Sequence, residues 1–271
     1  AAAQADHVIE FGAGSGALAE QLLQALGPRV RRYTIVEVSG ALRARQQARL
    51  SAFEGRVDWA DRWPERIQGV VVGNEVLDAM PVQLMRFDGQ QWHERGLVWA
   101  QDRLAWSDRP SAWQPPEPGP YVPGTVTEHA AQAQAWVRSL AQALERGLVL
   151  LVDYGFPQAE YYHPQRTGGT LVCHRAHRVD TDPLDQPGSK DITAHVDFTG
   201  IALAAQDAGL DVLGYTSQGR FLLNCGLAQK MAAADLAARA AAHRLVAEHE
   251  MGELFKVLAL GRGVHAEWIG F

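Results

Sequence analysis

The stretch Val8-Ile9-Glu10-Phe11-Gly12-Ala13-Gly14-Ser15-Gly16-Ala17-Leu18 limits this chain's possible folds more than any other. Apolar Val8, Ile9 and Phe11 predict a short buried strand that Gly12 ends. Gly14 and Gly16 let the backbone turn tightly and approach a ligand, because no Cβ stands in the way. Leu18, Leu22 and Leu26 then recur at helical spacing, and Gly27-Pro28 supplies a stop. The expected unit is a strand, a glycine turn and a helix whose free N–H groups point at the turn.

A glycine turn alone also suits nicotinamide and flavin enzymes. The sharper mark is Glu10, an acid inside the strand two residues before the first glycine. A carboxylate there repels a pyrophosphate. It favours a donor with a cationic amino-acid end and no phosphates, such as S-adenosylmethionine (SAM). A solvated strand-end acid in an ordinary dinucleotide site is the alternative. A second strand, Arg31 to Val38, carries Glu37 at its end, 25 positions beyond Gly12. Nucleotide-binding sheets place a ribose-binding carboxylate at an offset of about 20 residues. A surface acid at a strand end is the plainer reading of Glu37. Ser39 predicts the cap of a helix carrying Leu42, Leu50 and Phe53 and stopped at Gly55. Asp58 and Trp59, on a short third strand, are candidates to flank an adenine, and Trp59 reads equally well as core.

Gly69 to Gly73 predicts a central strand buried on both faces. Asn74, Glu75 and Asp78 follow at its carboxyl end, where open α/β sheets bind ligands. The N-terminus of a helix favours the same residue types. From Pro81 to about Pro110 the pattern changes to a hairpin or meander with a turn at Phe87-Asp88-Gly89-Gln90. Its Trp92, Trp99, Trp106 and Trp113 read as packing residues. Together with a proline-rich loop, this segment forms an insertion over about 82–127. Thr127 predicts the start of a helix closed by Gly147, and Leu148 to Gly155 a buried strand carrying Asp153 and Tyr154 at its end. A long loop follows, then a helix over Val196 to Ala208, a strand over Leu210 to Tyr215, an Ala-rich helix over Ala228 to Glu248, and a last strand over Phe255 to Leu260.

With 271 residues, 47% of them hydrophobic, the chain suits one α/β domain bearing an insertion. A net charge of −6 argues against a large basic nucleic-acid surface. Cys173 and Cys225 have no CxxC spacing, and His174 and His177 lack a third ligand, so no metal site is expected. Two cysteines without a disulfide framework fit a reducing, cytosol-like compartment. No apolar run approaches the ~20 residues of a membrane span, and no signal peptide is visible. The first residues lack an initiator Met, so a segment upstream is expected.

The run Glu10-Phe11-Gly12-Ala13-Gly14-Ser15-Gly16 resembles motif one of class I SAM-dependent methyltransferases. Further blocks are similar to the MidA family, whose mitochondrial members assist assembly of respiratory complex I. They are Glu37-Val38-Ser39 with Leu42 and Gln46, Asn74 to Pro81, Asp153-Tyr154-Gly155, Gly169-Thr170-Leu171, Asp191 to Phe198, and Met251 to Leu258. The resemblance implies a Rossmann-like α/β sheet with helices on both faces, SAM as cofactor, and methylation of an arginine on a protein substrate. With SAM as the cofactor, Glu10, Gly12, Gly14 and Gly16 are expected at its methionine end, Glu37 at the ribose, and Asp58 and Trp59 at the adenine, with Val38 and Asn74 as further cofactor-binding candidates. Glu75 and Asp78 become first choices to face a guanidinium, Asp153 and Tyr154 second, with His174 and His195 as proton acceptors. A complex I subunit is the implied partner and homodimerisation is left open. The eukaryotic relatives belong to the mitochondrial matrix and a bacterial-type chain to the cytoplasm. The family's segment ahead of the glycine turn, which helps cover the cofactor, is absent from this sequence. Two other classes stay open: a non-catalytic SAM- or nucleotide-binding assembly factor that docks a partner, and a nicotinamide-dependent oxidoreductase.

Overall fold

The computed structural model describes residues 6–175, 178–265 and 268–271. The chain opens with β1 (His7–Phe11), α1 (Ala17–Leu26), β2 (Arg32–Val36), α2 (Gly40–Arg49), β3 (Val57–Ala60) and β4 (Ile67–Asn74). It continues with β5 (Gln83–Phe87), β6 (Trp92–Ala100), β7 (Arg103–Pro110), β8 (Val126–His129), α3 (Ala131–Ala143) and β9 (Leu144–Phe156). Next come α4 (Gln158–Tyr161), β10 (Val172–Arg175), β11 (Arg178–Asp180), β12 (Asp191–Thr193), β13 (Val196–Asp197) and α5 (Phe198–Asp207). The last elements are β14 (Asp211–Ser217), α6 (Gln218–Asn224), α7 (Leu227–Ala233), α8 (Leu236–Val246) and β15 (Phe255–Arg262). Two compact units emerge. The first holds the chain up to Val76 with Val137–Tyr154 and Ala202–Phe271, and the second holds Leu77–Trp136 with Gly155–Ile201.

The first unit is built on a sheet in the order β3-β2-β1-β4-β9-β15-β14. Strands β1, β2, β3, β4 and β9 run parallel, while β15 is antiparallel to both β9 and β14. This is the Rossmann-like α/β arrangement with paired strands at one edge. The order reverses at β1, whose neighbours are β2 and β4, and beyond the carboxyl ends of strands at such a reversal open α/β sheets bind their ligands. Val8, Tyr33, Ile35, Val57 and Val72 from the strands pack with Ala19, Leu23 and Leu50 in one buried cluster. On α1 the fully buried positions are Ala19 and Leu23, and Leu26, the helix's last residue, is exposed. The leucine spacing thus located the helix, but its buried stripe is shifted by one residue.

The second unit contains a four-stranded sheet in the order β7-β6-β5-β8 and a three-stranded sheet in the order β11-β10-β12. Trp92 is buried and packs edge-on against Trp113 and Tyr121 at 5.4 and 5.2 Å. Trp99, 69% exposed, and Trp106 stay at the surface with Leu97 and Val98, so only half of the hairpin tryptophans are packing residues. The turn from β6 to β7 uses Gln101 and Asp102, both at positive φ (51° and 56°). A two-residue turn of that hand matches the twist of the flanking strands.

Three expectations are corrected. Thr127 does not start a helix: Val126–His129 is a strand paired with β5, and the helix begins at Ala131 and runs directly into β9. Val196 and Asp197 form a short strand before α5 rather than its first turn. The Ala-rich stretch is broken between α7 and α8, where the Asp235 side chain accepts the Ala238 N–H at 2.8 Å. A side-chain cap of this kind starts a new helix in the middle of a helix-favouring run. The helix N-terminus that was the alternative reading of Asn74, Glu75 and Asp78 does not form: Glu75 turns the chain with φ +52° and gives its N–H to the Val152 carbonyl at 2.9 Å.

Candidate functional site

The glycine turn after β1 stands at the reversal point of the first unit's sheet. Gly12, Gly14 and Gly16 have φ of +69°, +52° and +78°, a region L side chains enter only with strain. A Cβ on Gly12 would meet Val76 Cγ2 at 2.8 Å and the Asn74 carbonyl oxygen at 3.9 Å, so the end of β4 packs directly on the turn. A Cβ on Gly14 would meet nothing within 4 Å, which leaves open space above the turn. Gly14→Ala is therefore expected to cost about 1–2 kcal/mol of stability from its backbone conformation alone. It should also weaken an adenosyl ligand by more than tenfold, which thermal melts and calorimetric titration with S-adenosyl-homocysteine would check.

Two carboxylates border this turn, and both are buried. Glu10 accepts a 2.8 Å hydrogen bond from the Tyr33 hydroxyl of β2, and burial pushes its pKa from 4.5 up to about 7. The same burial, with Glu10 beside it, raises the Tyr33 phenol. Glu37, just past β2, accepts the Ser39 N–H at 2.8 Å on Oε1 and the Gln46 amide at 3.1 Å on Oε2. Val38 projects between these anchored neighbours and is 83% exposed. Gln46, fully buried on α2, joins three segments. Its Nε2 also donates to the Gly14 carbonyl at 2.9 Å, and its Oε1 accepts the Trp59 indole N–H at 3.0 Å.

Asp58 does not join this group. Neighbouring residues of a strand face opposite ways, so Asp58 and Trp59 cannot both turn toward Gln46. Asp58 instead pairs with Arg32 at 2.8 Å on the exposed side, while Trp59 packs against the core cluster and reaches Gln46. At the end of β4, the Asn74 amide donates to Glu75 Oε1 at 3.2 Å, and both residues are exposed. Asp153 is buried on β9, opposite Lys256 of β15 and one position past the Asn74–Val152 pair, and Tyr154 packs against Phe255 at 5.4 Å. Glu75, Asp153 and Tyr154 thus share the end of the sheet that carries the glycine turn.

The remaining candidates lie in the second unit. Asp78 is buried, and its carbonyl accepts the Ala194 N–H at 3.0 Å. His195 stacks on Phe156 with ring centroids 5.3 Å apart, and burial lowers its pKa. His174 is exposed on β10, and His177 lies outside the described residues. Among the described residues no group of three or more His, Cys, Asp or Glu is placed to hold a metal ion.

The sequence does not single out Glu128. It is buried on β8 and accepts the Thr170 and Leu171 N–H groups at 2.8 and 3.0 Å on one oxygen. The Thr170 and Tyr161 hydroxyls, at 3.0 and 3.2 Å, reach the other. Nor does it assign roles to Tyr33 and Gln46. Gln46 stands in one of the blocks that carry the family resemblance, but nothing in the sequence says what it bonds to, and Tyr33 is one aromatic in the strand Arg32–Val36.

What can this arrangement hold? An open glycine cradle with a buried acid on each side suits a ligand bearing an ammonium or sulfonium at one end and ribose hydroxyls at the other. The chemistry of these donors and acceptors fits SAM. Similar proteins agree with that fit. Residues 2–216 match a family model described as "Putative S-adenosyl-L-methionine-dependent methyltransferase". The protein arginine methyltransferase NDUFAF7 homolog, mitochondrial, of Drosophila melanogaster is 30% identical over 232 residues, which cover 75% of this chain and 51% of that protein. Its Xenopus tropicalis counterpart is 26% identical over 264 residues, covering 81% and 57%. A Burkholderia thailandensis protein crystallised with S-adenosyl-homocysteine is 45% identical, with a TM-score of 0.93 over 100% of this chain and 75% of that one. The chain therefore spans about half the length of the curated relatives it matches.

Proposed function

The chain belongs to the family of SAM-dependent methyltransferases, and we propose that within it this protein methylates an arginine side chain of a protein substrate. The observation that supports its methyl-donor half is the pair of buried acids, Glu10 and Glu37, set about an open glycine turn where the strand order reverses. When bound, SAM would supply an electrophilic methyl on its sulfonium, which an acceptor nitrogen takes by in-line displacement while the sulfur departs with the bonding pair as the neutral thioether S-adenosyl-homocysteine. Glu10 and the glycine turn would hold its methionine end and Glu37 the ribose, with Val38 beside Glu37 and Trp59 toward the adenine. The protein's contribution is then mainly alignment, worth up to about 7–11 kcal/mol in favourable cases.

An arginine acceptor is permanently charged and offers no free lone pair. A carboxylate facing it concentrates the charge on one nitrogen and turns another toward the methyl. Glu75 suits that role, being exposed, just past β4, and held in a left-handed conformation that its surroundings must enforce. Asp153 and Tyr154 are the next choices, and Asp78 remains a candidate through its spacing from Glu75. The arginine specificity draws on the names of the NDUFAF7 relatives. A complex I subunit as acceptor, a homodimeric state and a cytoplasmic setting are parts of the same proposal. Among the described residues no helix is long and apolar enough to cross a membrane.

Incubation with radiolabelled SAM and fractionated lysate tests the proposal, with labelled methylarginine recovered after hydrolysis as the expected result. Glu75→Gln should lower transfer on the order of a hundredfold while S-adenosyl-homocysteine binds as before. Unchanged transfer in both Glu75→Gln and Asp78→Asn would remove these residues from the reaction. A non-catalytic docking factor is the second reading, favoured by exposed Leu97, Val98, Trp99 and Trp106 on the β6–β7 hairpin. Bound SAM with no labelled protein in any fraction would select it.

A further inference from the structure

Gln46 carries more of the pocket's geometry than any residue that would touch the ligand. Its side chain is fully buried and spends each amide hydrogen on a different segment: the Gly14 carbonyl at 2.9 Å and Glu37 Oε2 at 3.1 Å. Its Oε1 takes the Trp59 indole N–H at 3.0 Å. Its Cα, Cβ and Cγ also lie 3.4–3.6 Å from where a Cβ on Gly16 would stand, so α2 closes on the glycine turn. Three loops or strands that the chain delivers separately are thus tied to one planar group. Only an amide suits the position. A carboxylate at 46 would face Glu37 with like charge, and an aliphatic side chain would take from the Gly14 carbonyl and the half-buried Trp59 indole N–H the partner they have here.

The consequence for Glu37 is specific. Its carboxylate is aimed by two protein donors, the Ser39 N–H and the Gln46 amide, one on each oxygen. Each oxygen keeps a second lone pair, and two hydroxyls on adjacent ribose carbons can use them only if the carboxylate plane is fixed beforehand. We propose that Gln46 is the positioning residue of the ribose subsite, which sets affinity for the ribose hydroxyls through Glu37 without touching the ligand. This inference rests on the reading that Glu37 meets the ribose.

The test is a comparison of two ligands by calorimetry on the full chain: S-adenosyl-homocysteine and its 2′,3′-dideoxy analogue. The wild type should prefer the ribose-bearing ligand on the order of tenfold to a hundredfold, as expected for hydrogen bonds to a charged group. Gln46→Met should lose most of that preference, while affinity for the dideoxy ligand changes less than about threefold. Gln46→Asn, whose shorter amide cannot reach Gly14 and Glu37 together, should reduce the same preference by a smaller factor, and it serves if Gln46→Met does not fold. Equal weakening of both ligands by these variants, or no change in the preference, overturns the positioning role and makes Gln46 a packing residue. A wild type with no preference, or a preference that survives Glu37→Gln, overturns the ribose reading itself and the inference with it.

Discussion

Glu128→Ala is expected to destabilise the second unit by about 3–5 kcal/mol, the largest loss among single changes near the candidate residues. The Glu128 carboxylate is the meeting point of β8 with the Thr170-Leu171 backbone and the Tyr161 hydroxyl. Truncation strands two N–H donors in a buried site, each costing about 1–3 kcal/mol, and leaves a cavity beside Tyr161. Gly169, at φ +72°, makes the turn that presents those donors, and a Cβ there would overlap Glu128 Oε1. Gly169→Ala should therefore mimic the truncation. Glu128→Gln should not. Its carbonyl can keep both backbone N–H groups while its amide donates to the Thr170 and Tyr161 hydroxyls. Burial also raises the Glu128 pKa, so loss of the charge removes a desolvation cost. Guanidinium unfolding followed by tryptophan fluorescence reads this directly, because Trp92 and Trp113 pack within the same unit. If Glu128→Ala left the transition midpoint within a few tenths of a molar of wild type, the carboxylate would not be the group that organises this unit.

The sequence yields the first strand, the glycine turn and α1 because each needs particular residues within a few positions of one another. The same locality explains what it withholds. Glu10 meets Tyr33 across 23 residues, and Gln46 meets Gly14 across 32, so neither partnership leaves a spacing to read. Glu128 lies 42 residues from Thr170, and the Thr127 beside it resembles a helix cap. Its partner strand β5, which makes it a strand residue, is formed by a segment about 40 residues earlier. Asp58 could have been resolved beforehand, since strand alternation forbids it from sharing a face with Trp59. The break between α7 and α8 was legible too: one aspartate in an alanine run marks a cap more than a helical interior.

Glu10→Gln is expected to leave stability unchanged near pH 4 and to raise it by about 3 kcal/mol at pH 8–9. Burial lifts the folded pKa of Glu10 from 4.5 to about 7, so the folded chain holds this proton more tightly than the unfolded one. Below pH 4.5 both states are protonated and no cost arises. Between 4.5 and 7 the unfolded state ionises first and wild-type stability falls, and above 7 the full cost of a buried charge is present. Ligand binding inverts the effect. A cationic methionine end favours the ionised carboxylate, so SAM should release up to one proton on binding near pH 6. Its affinity should climb by as much as tenfold per pH unit between about 5 and 7 and level off above. Calorimetry in buffers of different ionisation enthalpy counts that proton, and Glu10→Gln should release none. A phosphate-bearing ligand in the same crevice would draw a proton onto Glu10 instead. Proton uptake on binding, or affinity that falls as pH rises through 6, would therefore show that the acid does not serve a positively charged donor.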